Sequence, residues 1–231
     1  FFPSSDRPEL IVDLRLRHDA SIYATDNASR NLDNILRGDP DIVHWSSYIG
    51  RGAIRFYLPL DVQLQNDFFA ETVIVTKSLE ARERVKKRLE DALEQKLPEA
   101  VGRVFPLELG PPVGWPVQYR ISGGDPLKVR EIADKLAQIL GTSPDLKYVN
   151  FNWMEPIRKL KIRINQDEAK QMGLSSAAVA QAIHAVVSGI PATQVRDDIY
   201  LIDVVVRAQE SERMSLETIR TLKIPLPNGQ S

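Results

Sequence analysis

An α+β fold is predicted by three observations. Short alternating apolar runs are interleaved with long amphipathic stretches, and proline and glycine punctuate the joints. No apolar run approaches the roughly 18 residues that a membrane span needs. Hydrophobic residues make up 43% and charged residues 26% of 231 residues, enough to bury a core in one large domain or two smaller ones.

Leu10, Val12, Leu14 and Leu16 alternate with Ile11, Asp13, Arg15 and Arg17, which predicts a strand with one buried face. Ser21 is placed to cap a helix running to Arg37, with Ala24, Ala28, Leu32, Ile35 and Leu36 on one side. Gly38-Asp39-Pro40 stops it. Strands are expected near 41–48 and 53–58, followed by an irregular polar stretch over 59–68. Thr72–Val75 is a strand that leads into a helix from Ser78 to about Lys96. Val85, Leu89, Ala92 and Leu93 form its apolar stripe, and its charged opposite side reads as a solvated face. A further strand is expected near 103–109. With the 41–48 and 53–58 runs counted as one, the order β-α-β-β-α-β is the split βαβ, or ferredoxin-like, arrangement.

The pattern then restarts. Trp115, Val117, Tyr119 and Ile121 alternate as a strand, Asp125 caps a helix with Pro126 at its first position, and a strand near 146–152 would complete a second β-α-β. The Pro-rich joint from Pro106 to Pro116, with Gly110-Pro111-Pro112 inside it, marks the best boundary. Beyond it, Leu160, Ile162 and Ile164 suggest a strand, Asp167–Met172 a short helix and Ser175 or Ser176 the cap of a helix through Val187. Ile199–Val206 is a strongly apolar strand. This last third reads as a separate small α+β module. Both ends of the chain look cut, as in a piece of a longer protein.

Thirty basic residues face 31 acidic ones, so no net charge draws the chain to nucleic acid or anionic lipid. Cysteine is absent, which removes thiolate metal sites, disulfides and cysteine nucleophiles and suits an oxidising compartment without fixing it. His18, His44 and His184 share no metal-ligand spacing, and Met154, Met172 and Met214 are scattered. Gly123-Gly124-Asp125 reads as a turn with an N-cap, and Asp197-Asp198 as a solvated loop pair. Arg158, Lys159, Lys161 and Arg163 form a basic run, read chiefly as a solvated strand face. No metal, cofactor or catalytic residue is expected. Two features point to ligand handling instead. Trp45 to Gly52 ends in Gly-Arg-Gly and reads as a bent or mobile loop carrying aromatics. Trp115 and Tyr119 share a strand face suited either to a core or to the wall of an apolar pocket.

Several of these pieces match one family in order and spacing: Phe2-Pro3, Ile49-Gly50-Arg51-Gly52, Gly114-Trp115-Pro116-Val117, and the run Ile162 to Ser175 with Lys170, Gly173 and Leu174. The chain resembles the second large periplasmic loop of an RND (resistance–nodulation–division) multidrug efflux transporter. The run from Ile162 is the most specific part, and the resemblance covers essentially the whole chain.

The resemblance implies a first porter subdomain over 1–110, the first part of a second over 111–152 and a docking subdomain over 153–231. It implies a proton-driven inner-membrane pump that captures hydrophobic or amphiphilic compounds and passes them toward an outer-membrane channel. Matching cleft positions are Asp13, Arg15, Trp115, Val117, Tyr119 and Asn150. Matching switch-loop positions are Ser46, Tyr48, Gly50, Arg51 and Gly52, with Trp45 adjacent. Ser46 stands where multidrug members commonly have an aromatic, Asp13 where they have an apolar residue, and Asn150 where a basic one occurs. The proton-relay residues would lie outside this chain. The whole protein would be a homotrimer with a periplasmic adaptor, and the isolated chain a monomer. The alternative is a regulatory ferredoxin-like protein that binds a small molecule, since fold alone does not separate the two.

Overall fold

The computed structural model describes residues 3–111, 114–157, 159–213 and 215–224. Sequence expectations that touch Phe1, Phe2, Pro112, Arg158, Met214 or residues 225–231 lie outside the described residues. The chain divides into two compact units, Phe1–Arg158 and Lys159–Ser231.

The first unit begins with β1 (Glu9–Arg15), α1 (Ile22–Leu36), β2 (Ile42–Ile49), β3 (Phe69–Thr76), α2 (Leu79–Lys96) and β4 (Val101–Pro106). The strands form one antiparallel sheet in the order β2-β3-β1-β4, the ferredoxin-like order. Both helices start where a serine side chain accepts an orphan amide: Ser21 Oγ takes Ala24 N–H at 3.3 Å, and Ser78 Oγ takes Ala81 N–H at 3.2 Å. Their apolar stripes cover one sheet face. Leu32, Leu36, Val85, Leu89 and Leu93 are buried on Leu10, Val12, Leu14 and Ile74. Each such side chain stabilises the fold by about 1.5–3 kcal/mol when fully buried. A half-buried helix ion pair such as Lys86–Glu90, 3.9 Å apart, contributes only about 0.3–0.5 kcal/mol, so the stripe rather than the charges anchors α2.

Three first-unit expectations are corrected. Residues 53–58 are not a strand. Gly52 N–H goes to Gln63 O and Ala53 N–H to Glu71 Oε1, so these donors are committed to a folded-back connection rather than a ladder. That connection buries Ala53 and Leu60 against Ile11 and Leu107 on the sheet's second face. Consequently β1 does not have a single buried face: Ile11 is as buried as Leu10. Finally, β2 matches the strand expected near 41–48, so residues 45–49 of the expected Trp45–Gly52 loop are strand instead, pairing with β3 from Trp45↔Ile74 to Ile49↔Ala70.

Of the expected second β-α-β, the helix forms as α3 (Pro126–Gly141), capped by Asp125 with Pro126 in its first turn. Residues 115–121 and 146–152 carry no ladder hydrogen bonds among the described residues. Alternation specifies a face, but a strand also needs a partner edge, and neither segment meets one.

The second unit contains α4 (Gln166–Gln171), α5 (Ser176–Val187), β5 (Ile190–Asp197), β6 (Tyr200–Val206), α6 (Glu210–Arg213) and α7 (Leu216–Arg220). Asn165 and Ser175 cap the first two of these helices. Residues 160–164 are not the expected strand; among the described residues the sheet here is the β5–β6 hairpin, whose backbone groups pair with each other. Asp198, at φ +52, supplies the left-handed residue that the two-residue turn needs. The Asp197-Asp198 pair therefore makes a turn.

Candidate functional site

The first unit carries a cleft of about 1250 Å³. It is lined by the sheet face that carries Asp13, Glu71 and Arg103, by the connection over residues 57–63, by Lys86, Glu90 and Leu93 of α2, and by residues 114–121, α3 and residues 145–153. All six predicted cleft positions, Asp13, Arg15, Trp115, Val117, Tyr119 and Asn150, line it. They reach it by different routes. Asp13 and Arg15 share the outward register of β1, while Trp115, Val117 and Tyr119 stand on a segment without a ladder. Asn150 is steered by its own Nδ2–H donating to Tyr148 O at 2.6 Å.

The predicted switch positions are not brought to this cleft. Trp45 packs toward α1, its indole N–H donating to Asp33 Oδ1 at 2.7 Å. Tyr48 packs with Ile11 and Leu107. Ser46 lies between them in β2, opposite Val73. Gly50 to Gly52 lie past the end of β2, with a bend at Gly50 and Arg51 bridged to Ala70. Gly50 has φ +74, an angle that favours glycine, while the Ile22 Cδ1 that a Cβ would meet at 2.7 Å is the movable end of an exposed side chain.

Asp13 and Arg15 are cleft positions by family motif, whereas Glu71 and Arg103, which complete the charged floor, match no motif. Asp13 faces Glu71 on β3 and Arg103 on β4 in register. The two carboxyls sit in a buried row. Burial, then Glu71, push Asp13 up to about 8, so at neutral pH it holds its proton. Burial also raises Glu71, but the Ala53 N–H at 3.0 Å favours its ionised form. The pair therefore carries about one negative charge near pH 7. Arg103 stacks 4.2 Å over Phe105 and 5.6 Å from the Trp115 ring. Two aromatics complete the wall. Trp115 and Tyr148 rings are 6.3 Å apart, and Tyr148 has a left-handed φ of +58, uncommon for an aromatic residue. Burial raises the Tyr148 hydroxyl to about 12, so it stays neutral. Across the cleft, Arg130 of α3 donates to Trp153 O at 2.6 Å and stacks 4.6 Å over Phe151. Chemically, this is a wide groove with aromatic walls and a small charged floor, suited to diffuse contact rather than a rigid clamp.

Residues 1–231 match the AcrB/AcrD/AcrF family along their whole length. The chain belongs to that family, the RND efflux permeases. It is 29% identical over 113 residues to the cobalt-zinc-cadmium resistance protein CzcA of Cupriavidus metallidurans, covering 49% of this chain and 11% of CzcA. It is 23% identical over 112 residues to the swarming motility protein SwrC of Bacillus subtilis, covering 48% of this chain and 11% of SwrC. The chain thus spans about a tenth of the length of these curated relatives. A crystal structure of a heavy metal efflux pump superposes with a TM-score of 0.69 at 19% identity, covering 99% of this chain and 24% of that one, which shows a shared fold. The family match sets aside the regulatory ferredoxin-like alternative. Among the described residues, no helix of this RND segment is long and apolar enough to cross a membrane.

Proposed function

We propose that this chain is the periplasmic porter and docking portion of a proton-driven RND pump, and that the cleft on the open sheet face is where exported compounds pass. The observation that carries this reading is convergence: six positions scattered between residues 13 and 150 line one cavity, with aromatic and charged groups side by side. A conduit should hold its cargo weakly enough to release it, and diffuse aromatic contact does so. We assign residues 1–110 and 111–152 to two porter subdomains and 153–231 to a docking subdomain. Hydrophobic or amphiphilic compounds suit the aromatic wall. RND pumps work as trimers with an adaptor and an outer-membrane channel, and an exposed apolar β5–β6 hairpin fits a contact in such an assembly. A movable role for residues 50–52 would require breaking Gly50 N–H to Phe69 O and Asn66 N–H to Gly50 O, both 2.9 Å.

A second reading, export of divalent metal ions, is favoured by the relatives named for metal resistance and by the Asp13–Glu71 row. One experiment separates the two. The full-length permease, in a host lacking its own pumps, is tested with Trp115→Ala, Asp13→Asn and Glu71→Gln. Resistance to bulky amphiphilic dyes and to zinc, cobalt and cadmium salts is measured. Loss of dye resistance in Trp115→Ala supports the amphiphile reading. Loss of metal resistance confined to the two carboxyl variants supports the second. Unchanged resistance in all three to both panels overturns the cleft assignment.

A further inference from the structure

We propose that Arg103 is the residue that fixes Trp115 over the open sheet face, and that the facing Asp13–Glu71 pair sets how firmly it holds. Several contacts converge on one guanidinium. Nη2 donates to Gly114 O at 2.6 Å and to Glu108 Oε1 at 3.5 Å. The same group stacks on Phe105 and reaches the Trp115 ring. A planar guanidinium can stack on aromatic faces while donating in its own plane, which an ammonium cannot do. Arg103 therefore ties β4 to the residue before Trp115.

Its competing neighbour is Asp13. Asp13 lies directly opposite Arg103 in register and directly opposite Glu71 on its other side. Asp13 Oδ1 is buried and has no hydrogen-bond partner. The other groups around the row are Arg15 on β1, Tyr57 and Asp61 in the connection after β2, and the Ala53 N–H bound to Glu71. While the carboxyl pair keeps one proton, Asp13 is neutral and Arg103 stays on Gly114. When that proton leaves, two negative charges face Arg103 and the unpartnered Oδ1 competes with Gly114 O and Glu108 Oε1 for its guanidinium. The guanidinium is then drawn across the β1–β4 pair and away from Gly114. Rising pH loosens Trp115, and falling pH fastens it.

The consequence for export rests on the reading of Trp115 as a cleft wall, but the test needs no exported compound. 5-Fluorotryptophan is incorporated into the 231-residue chain, and the Trp115 resonance is assigned with Trp115→Phe. Its ¹⁹F shift is followed from pH 6 to pH 9.5, with Trp45 and Trp153 as internal references. A single transition centred near pH 8 is expected for Trp115, vanishing in Asp13→Asn with the resonance left at its low-pH position. In Arg103→Lys, which keeps the charge but not the stacking plane, the resonance should already be displaced at pH 6. A pH-independent Trp115 resonance, or a transition that survives Asp13→Asn, overturns the proposal. If Arg103→Lys does not fold, the near-isosteric Asp13→Asn decides alone. Failure here leaves the export reading standing, because that reading is tested by resistance and not by the position of one ring.

Discussion

Trp45 and Asp33 are joined by an indole N–H to carboxylate bond of 2.7 Å that ties edge strand β2 to α1, and Ser47 Oγ adds a second donor to the same oxygen at 3.0 Å. This pins a segment whose glycine-flanked sequence reads as a loop. Asp33→Ala should leave two part-buried donors unmet and lower stability by about 1–3 kcal/mol. Asp33→Asn retains an acceptor oxygen and should lose less. Urea unfolding of both variants checks this, and equal losses would show that the charge rather than the hydrogen bonds matters.

Asp13 makes stability depend on pH in a direction opposite to that of most carboxylates. Its folded value is raised from 3.8 to about 8, so between those limits the native state keeps a proton that the unfolded chain has released. The stability it contributes is present below about pH 4 and is lost as pH rises toward 8. Thermal melts from pH 5 to pH 9 should show a falling midpoint. Asp13→Asn should flatten most of that slope and melt higher than the parent above pH 8. A parent midpoint that rises over this range would contradict the buried carboxyl.

Arg82 fastens the N-terminal segment to α2. Its side chain is buried, and Nη1 donates to Ser5 O at 2.7 Å and Arg7 O at 2.8 Å. Arg82→Met fills similar volume but leaves those carbonyls unserved, so a loss of about 2–3 kcal/mol is expected. Hydrogen exchange localises the effect: the Ser5 amide, bonded to Leu107 O at 2.8 Å, should lose protection first. Uniform loss across the sheet would mean that Arg82 supports the core as a whole.

The hairpin of the second unit exposes Ile202 and Val204 on one face and carries Asp203, bonded to Gln194 at 2.7 Å, on the other. If it docks within a trimer, Ile202→Asp in the full-length permease should reduce cross-linked trimer severalfold, while Asp203→Ser should leave it unchanged. Equal trimer yield from both variants and the parent would remove the hairpin from the assembly surface.

The legible parts of this protein are those whose cause lies within a few residues. Ser21, Ser78, Asp125 and Ser175 announce their helices because each side chain reaches an amide two or three residues on. The spacing of Leu32 and Leu36, or of Val85, Leu89 and Leu93, names the buried stripe for the same reason. β5 escaped notice because Ile190–Asp197 has little apolar alternation and is held by pairing with β6. The six cleft positions came from family motifs, whereas Glu71 and Arg103 match no motif.

By itself, then, the sequence determined helices α1 to α5, the central strand, the ferredoxin-like order and the family. Caps, periodicity and motif spacing act along the chain. Only the tertiary structure decided which strands found partners, and that 53–58, 115–121 and 160–164 did not. Only the sheet order decided that Asp13 would lie between Glu71 and Arg103, residues 58 and 90 positions away. A carboxyl's charge depends on what surrounds it in space, and no local pattern of residues records that.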